Sequence, residues 1–397
     1  MVLKQDIRET LKKQISDLNK KESGIKREIL KKIDLDVPHA IIVSGIRRCG
    51  KSTLLHQLMK KSVYYFNFED PRVLSFKVSD FEKLKEIFIE VFGEKKIYFL
   101  DEIQNVPNWE VFVRSEMDSG KKFVITGSNA TLLSKELGTR LTGRYLRYEL
   151  YPFSYKEFLQ FTKKKASKDS LRKYMEKGGF PEYLKYDNSD ILRDLLDSVI
   201  TRDVLVRNNI READQVKKIC IYLLSNIGKQ FSLNKLTKHF GIGSVNTVRS
   251  YISFFEDSYL LFTVPKFDYS FKKQIVNPKK IYSIDVGLST ANSISFSKDK
   301  GRILENLVFL HLKRKYDEIF YYKNKSECDF VVKDKDKILF CVQVCFIVNE
   351  DNKMRESNGL KEAMQDLNVK KGFIITFDQE DIIDDIPLIP AWRWFST

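Results

Sequence analysis

Cysteine and histidine are scarce here: five cysteines (Cys49, Cys220, Cys328, Cys341, Cys345) and four histidines stand in 397 residues. No CxxC pair occurs. A structural zinc site or a disulfide framework is therefore not expected, and reduced thiols are. Long apolar runs are lacking too. The longest are strand-length, which excludes a transmembrane helix. The opening stretch MVLKQDIRETLKKQISDLNKK is charged and helical in pattern. It has no apolar core of a signal peptide, so a cytoplasmic location is expected. Internal repeats and low-complexity segments are absent.

What is present is apolar and basic. Apolar residues make up 43% and aromatics 13%, a composition that excludes disorder and fits packed domains, two or three at this length. Lysine and arginine number 69 against 54 acidic residues, a net charge of +15. Such an excess points to a polyanionic partner, of which DNA or RNA is commonest. A solvated lysine coat that binds nothing in particular is the other reading.

Along the chain, residues 1–37 read as one or two polar helices. The apolar run from Ala40 to Val43 then meets a glycine-containing turn and a helix in which Leu54, Leu55 and Leu58 share a face. VYYFNFED, KIYFLDE and KFVITGSN read as strands and SDFEKLKEIFIEVFG as a helix. This alternation predicts a doubly wound parallel sheet. Residues 155–228 look helical with a Gly-Gly-Phe-Pro break at 178–181, residues 231–267 look like two short helices and a hairpin, and α/β patterning resumes after about 270.

GIRRCGKST (Gly45, Ile46, Arg47, Arg48, Cys49, Gly50, Lys51, Ser52, Thr53) matches G-x-x-x-x-G-K-[ST] in full, between a buried strand and a helix. The glycines let the backbone wrap closely, so that loop N–H groups and the helix N-terminus face phosphates. Lys51 can reach the β- and γ-phosphates, and the Ser52 hydroxyl can ligate Mg²⁺. These residues point to bound ATP or ADP. In KIYFLDE, Asp101 can hold the metal through its water shell, and Glu102 beside it can polarise the attacking water. Glu102 argues for hydrolysis rather than binding alone. Ser128 and Asn129 at the end of FVITGSN can contact the γ-phosphate or the water, or merely cap a turn. Arg140 and Arg144 can stabilise transition-state charge, in cis or from a neighbouring subunit, or lie on the surface.

GIRRCGKSTLL, YFLDEIQNVPNWE, ITGSNATLLSKE, LTGRYLRYELYPFSYKEF, GGFPEYL, TRDV, YSIDVGL and GRILENLVFLHL together resemble one group of prokaryotic P-loop ATPases in the AAA superclass. That group carries a winged helix and a restriction-endonuclease-like domain after the ATPase core. The resemblance implies three domains and ATP hydrolysis, and favours Arg144 as the catalytic arginine. The expected architecture is α/β. A P-loop AAA-type core with helices on both faces of a parallel sheet and the N-terminal helices spans 1–150, a helical lid or linker 151–228, a winged helix-turn-helix 229–268, and a restriction-endonuclease-like domain 269–397.

FSLNKLTKHFGIGSVNTVRSYISFF fits the winged helix by spacing: Leu233, Leu236 and Phe240 face inward from one helix, and Val248, Ile252 and Phe255 from the next. Ser244, Asn246, Thr247, Arg249 and Ser250 are left on the outer face, with Lys235 and Lys238 nearby. Asn246, Thr247 and Arg249 are the candidate DNA contacts, through phosphates more than sequence. A packing or dimerisation role remains the alternative.

A nuclease of the resembled class sets a helix glutamate, an aspartate, a second carboxylate and a lysine around metal. Glu305 and Asp329 fill the first two positions. The hairpin SECDFVVKDKDKILFCVQVCF has Gln343 and Cys345 where the other two belong. Gln343 cannot balance a divalent cation, and Cys345 has neither the reach nor the charge of lysine. A nuclease fold without the activity is expected. The whole reads as a Mg²⁺-dependent ATPase acting on or near duplex or branched DNA. A nucleotide-controlled switch for a protein partner, or a nuclease using Glu305 and Asp329, are the rivals.

Overall fold

The apolar run after His39 forms β1 (Ala40–Ser44), every residue of it buried. In this computed structural model, residues 2–20, 22–59, 63–129, 143–294 and 299–397 are described. They divide into two compact units, Met1–Leu150 and Tyr151–Thr397.

In the first unit β1 joins β2 (Tyr64–Asn67), β3 (Ile97–Asp101), β4 (Lys122–Gly127) and β5 (Tyr145–Glu149) in a parallel sheet of order β2-β3-β4-β1-β5. Strands buried on both faces read as continuous apolar runs, which is why β1, β3 and β4 were legible. β5 was not. Its sequence YLRYE is half-buried throughout and carries no such signal. The helices are α1 (Lys4–Lys20), α2 (Lys51–Leu58), α3 (Phe81–Phe92) and α4 (Trp109–Asp118). Beneath them lies an aromatic core in which Phe81 and Phe112 stack at 4.2 Å and Tyr98 and Phe123 at 4.9 Å. α1 is tied to α3 by Lys4 with Glu86 (2.8 Å) and Glu90 (2.9 Å).

The second unit joins what the sequence divides at 228 and 268. Tyr155, Phe158, Leu171 and Tyr174, from helices expected as a lid, share one apolar core with Leu304, Val308, Phe330, Val342 and Phe373. A six-stranded sheet follows the order β13-β14-β12-β11-β10-β9, from β9 (Glu318–Lys323), β10 (Glu327–Asp334), β11 (Lys337–Val344), β12 (Gly372–Thr376), β13 (Asp381–Ile383) and β14 (Ile386–Pro390). The hairpin read from SECDFVVKDKDKILFCVQVCF is β10–β11, antiparallel, with Phe330 opposite Val342. A three-stranded sheet, β6 (Gln230–Phe231), β7 (Leu261–Val264) and β8 (Lys279–Ser283), has the order β6-β8-β7. Its last strand lies past residue 268. Helices Leu233–His239 and Val245–Asp257 come between β6 and β7.

The motifs most particular to the resembled group meet here. In PFSYKEF, Ser154 and Glu157 form a capping box: the Ser154 N–H donates to Glu157 (2.9 Å) and the Glu157 N–H to Ser154 Oγ (3.2 Å). Gly179 of GGFPE packs so tightly that a Cβ would stand 2.3 Å from the Phe153 carbonyl oxygen. Its N–H donates to Asp285 of YSIDVGL at 2.6 Å. Asp285 also caps the helix Val286–Asn292 by accepting from the Leu288 N–H at 2.9 Å. Burial pushes the Asp285 carboxyl up to about 6 against these backbone donors. All five cysteines are buried and free. Among the described residues no helix is long and apolar enough to cross a membrane.

Candidate functional site

The site lies at the C-terminal end of the first sheet. After Ser44 the chain leaves β1, and the Gly45 N–H still donates to the Gly127 carbonyl of β4 (3.3 Å). The loop closes at Gly50, whose φ of 103° only glycine adopts without strain, and α2 starts at Lys51. The orphan N–H groups of the first turn of α2 thus face the loop's hollow, where an anion is favoured. Cys49 is fully buried in the loop, its thiol raised by burial.

β4 lies between β1 and β3, so its end separates the loop from the Asp101–Glu102 pair. Asp101 accepts from the Thr126 hydroxyl, from Tyr65 Oη at 3.3 Å and from the Ser52 side chain. Burial raises its carboxyl, and the neighbouring Glu102 charge raises it further. Glu102 has φ 53°, an uncommon left-handed backbone for a residue with a side chain. Its N–H donates to Thr126 Oγ1 (2.9 Å). Its carboxylate lies 3.1 Å from Lys51 Nζ and accepts from Gln104 Nε2 at 2.6 Å. Burial opposes the charge on Glu102, but Lys51 and then Gln104 outweigh it and hold the carboxyl below its usual range. Gln104 also donates to Ser128 Oγ (3.4 Å).

Lys51 is 4% exposed. Its ammonium donates to the carbonyls of Gly45 (3.1 Å) and Ile46 (3.3 Å) as well as to Glu102. The three donors of the ammonium are therefore aimed at the loop and at the carboxylate together. Ser52 and Asp101, hard oxygen donors already bonded to each other at the start of α2, fit a divalent cation of the Mg²⁺ kind.

The structure brings Gly45 to Thr53, Asp101 and Glu102 together. Arg47 pairs with Glu69 at 2.7 Å, and Arg48 is exposed with φ 61°. Asn129 is buried just beyond the end of β4. Arg144 is not brought to the loop of its own chain, so it does not act there in cis; a role at a neighbouring subunit's loop is the other half of the expectation. Arg144 precedes β5, its carbonyl accepts from Ala40 N at the start of β1, and its guanidinium pairs with Asp118 at 2.6 Å on the surface. The length of β1, about 16 Å at the usual rise per strand residue, separates Arg144 from the loop. Arg140 lies outside the described residues.

Sequence reasoning missed five contributors. Thr126, Gln104 and Tyr65 hold the two carboxylates. A polar residue inside the buried strand KFVITG was a signal for Thr126. Arg27 had none, lying in a polar stretch without periodicity. It is 5% exposed and donates to the Cys49 carbonyl at 2.8 Å. Gln57 of α2 holds the same segment through its donation to the Ile25 carbonyl at 2.6 Å.

Comparison with known proteins places this geometry. The family described as "AAA domain" (AAA_14) matches residues 37–159. Two further families, domains of unknown function DUF8612 and DUF4143, match 168–298 and 300–394. The chain is 37% identical to the "Uncharacterized protein MJ1544" of Methanocaldococcus jannaschii over 96% of its length and 93% of that protein. It is 31% identical to an "Uncharacterized protein" of Haemophilus influenzae over 89% of its length and 93% of that protein. Among solved structures it is similar to "The walker-type atpase paby2304 of pyrococcus abyssi", with 15% identity, a TM-score of 0.43, and 66% and 93% of the two chains covered.

Proposed function

Since the chain belongs to the archaeal and bacterial P-loop ATPases that carry this AAA domain, we propose that it is a Mg²⁺-dependent ATPase whose turnover is coupled to DNA. The observation that carries the first half is the ammonium of Lys51 between the loop carbonyls and Glu102, with Ser52 bonded to Asp101 beside it. The loop N–H groups and the first turn of α2 bind the phosphates. Lys51 exchanges its carbonyl and carboxylate partners for phosphate oxygens, which frees the Glu102 carboxylate to orient and deprotonate the attacking water. Ser52 and Asp101 hold Mg²⁺, which when bound neutralises charge on the phosphate oxygens. Thr126 and Gln104 fix the two carboxylates, and Asn129, just past the end of β4, is the residue to contact the γ-phosphate or the water.

Arg27 acts as a positioning residue, because it fixes the Cys49–Gly50 peptide that faces the phosphates. Arg27→Met should raise KM for ATP roughly tenfold with little change in kcat, since a charge-assisted hydrogen bond is worth about 1.5–3 kcal/mol. Arg27→Lys should restore part of the loss. Steady-state kinetics checks this, and an unchanged KM would remove Arg27 from the site.

The DNA half rests on residues 213–283. Their order of helix, strand, two helices, strand, a short helix (Phe271–Val276) and a last strand supports a winged helix-turn-helix with a helical insert between its two final strands. On its second helix Asn246 and Arg249 are exposed, 3.1 Å apart, and Thr247 is half-buried. The segment between β7 and β8 exposes Tyr269 (79%) and Phe271 (74%) next to Lys272 and Lys273. Aromatics to stack on bases and lysines for phosphates suit DNA with little sequence preference. A titration of ATPase rate against single-stranded, duplex and branched DNA tests the coupling, with acceleration by duplex or branched DNA expected. Arg249→Ala should weaken DNA binding and lower the slope of log affinity against log salt by about one. Turnover indifferent to every DNA would favour the nucleotide-controlled switch instead.

A further inference from the structure

The second unit buries a lysine among three carboxylates. Lys280, on β8, is 2% exposed. Its ammonium lies 3.0 Å from Glu305 on the helix Lys300–Lys313, and 2.9 Å and 2.8 Å from Glu327 and Asp329 on β10. An ammonium has three N–H donors, and each is met by one carboxylate. The other groups around the cluster are paired as well. Tyr282 Oη donates to Glu305 (2.7 Å), Val344 N to the second oxygen of Asp329 (3.0 Å), and Lys323 lies 3.1 Å from Glu327. Gln343 accepts from Asp329 N at 3.1 Å and donates to Glu356 at 2.7 Å.

We propose that Lys280 is the resident cation of this cluster. Its ammonium takes the position that Glu305 and Asp329 offer to a divalent ion, and it clasps β8 to the helix and to β10. A metal between the same two carboxylates would face a fixed positive charge about 3 Å away, which repels it strongly in a buried setting. For the metal to enter, Lys280 would have to leave three partners at once. Gln343 strengthens this arrangement. Where a second metal carboxylate belongs, a neutral amide bridges Asp329 to Glu356 and adds no charge for Lys280 to balance.

The titration behaviour agrees. Burial works against the charge of Lys280, yet Asp329 and Glu305 hold it well above its ordinary value. Glu305 is pushed up to about 7 by burial against the pull of Lys280.

The test uses the full chain with Asp101→Asn, so that the nucleotide site takes no metal. With Lys280 intact, calorimetry with Mn²⁺ should detect no binding at micromolar to submillimolar concentrations, and supercoiled plasmid should survive in Mg²⁺ or Mn²⁺. Lys280→Ala should create a site for one Mn²⁺, at least tenfold tighter than any residual affinity, and Asp329→Asn added to it should remove that site. The proposal is overturned if the Lys280 chain binds one Mn²⁺ or cuts plasmid and Asp329→Asn abolishes either. It is overturned equally if a folded Lys280→Ala chain gains no metal. If Lys280→Ala does not fold, the intact-lysine measurements decide alone.

Discussion

Lys51→Ala is expected to cut ATP turnover by about a hundred- to a thousandfold, the usual cost of removing one charge-stabilising donor from a phosphoryl or acyl transition state. The structure adds a second expectation that a generic phosphate-loop argument does not supply. Lys51 is the cation nearest the Asp101–Glu102 pair, 3.1 Å from Glu102 and buried. Removing it strands a buried carboxylate beside another one. Such a stranding costs about 3–5 kcal/mol unless a proton is taken up. Lys51→Ala should therefore melt at a lower temperature than the parent, and Lys51→Ala with Glu102→Gln should recover much of that loss without recovering turnover. Paired melting curves and turnover assays make a double-mutant cycle that separates the two roles. Turnover within a few-fold of the parent would show that the loop does not work on a triphosphate.

Glu102→Gln should lose about a hundred- to ten-thousandfold in hydrolysis, the range that a general base contributes, while keeping ATP. Its ATP affinity should hold or tighten, because the amide no longer competes with the triphosphate for the Lys51 ammonium. The amide can still meet Gln104, so the strained backbone at Glu102 need not relax. Equilibrium binding of ATP together with single-turnover hydrolysis gives both readings. Normal hydrolysis would take the base assignment away from Glu102, and lost binding would mean that the substitution damages the loop instead.

The grouping of the candidate site was legible because its residues are local. A phosphate loop needs its glycines, lysine and serine within nine consecutive residues, and a buried strand announces the carboxylates at its end. The rest fails where partners come from far along the chain. Lys280 stands 25 and 49 residues from Glu305 and Asp329, and no periodicity relates a lysine on a short strand to a helix glutamate. Arg27 reaches Cys49 across 22 residues from a segment with no apolar pattern. The distance of Arg144 from its own chain's loop was hidden for the same reason. Arg144 carries no sign of which end of β5 it stands at, and β5, with Arg147 and Glu149 on one face and only Leu146 and Tyr148 on the other, is half-buried and too weakly apolar to be read as a strand. The domain divisions at 228 and 268 followed changes in secondary-structure pattern, whereas the shared core of residues 151–397 follows side-chain contacts that such patterns do not record.

The bond from Gly179 to Asp285 spans 106 residues, and this sets the order in which the molecule can assemble. The sheet of the first unit is drawn from contiguous sequence ending at Leu150, so it can condense as soon as that much chain has left the ribosome. The second unit must wait. Helices 155–186 have their capping box from the start, but the backbone donor of Gly179 stays unmet until the chain through Asp285 exists, and the long loop closure is slow. Refolding should then be biphasic, with a fast phase from the first unit and a slow one governed by closure of this clasp.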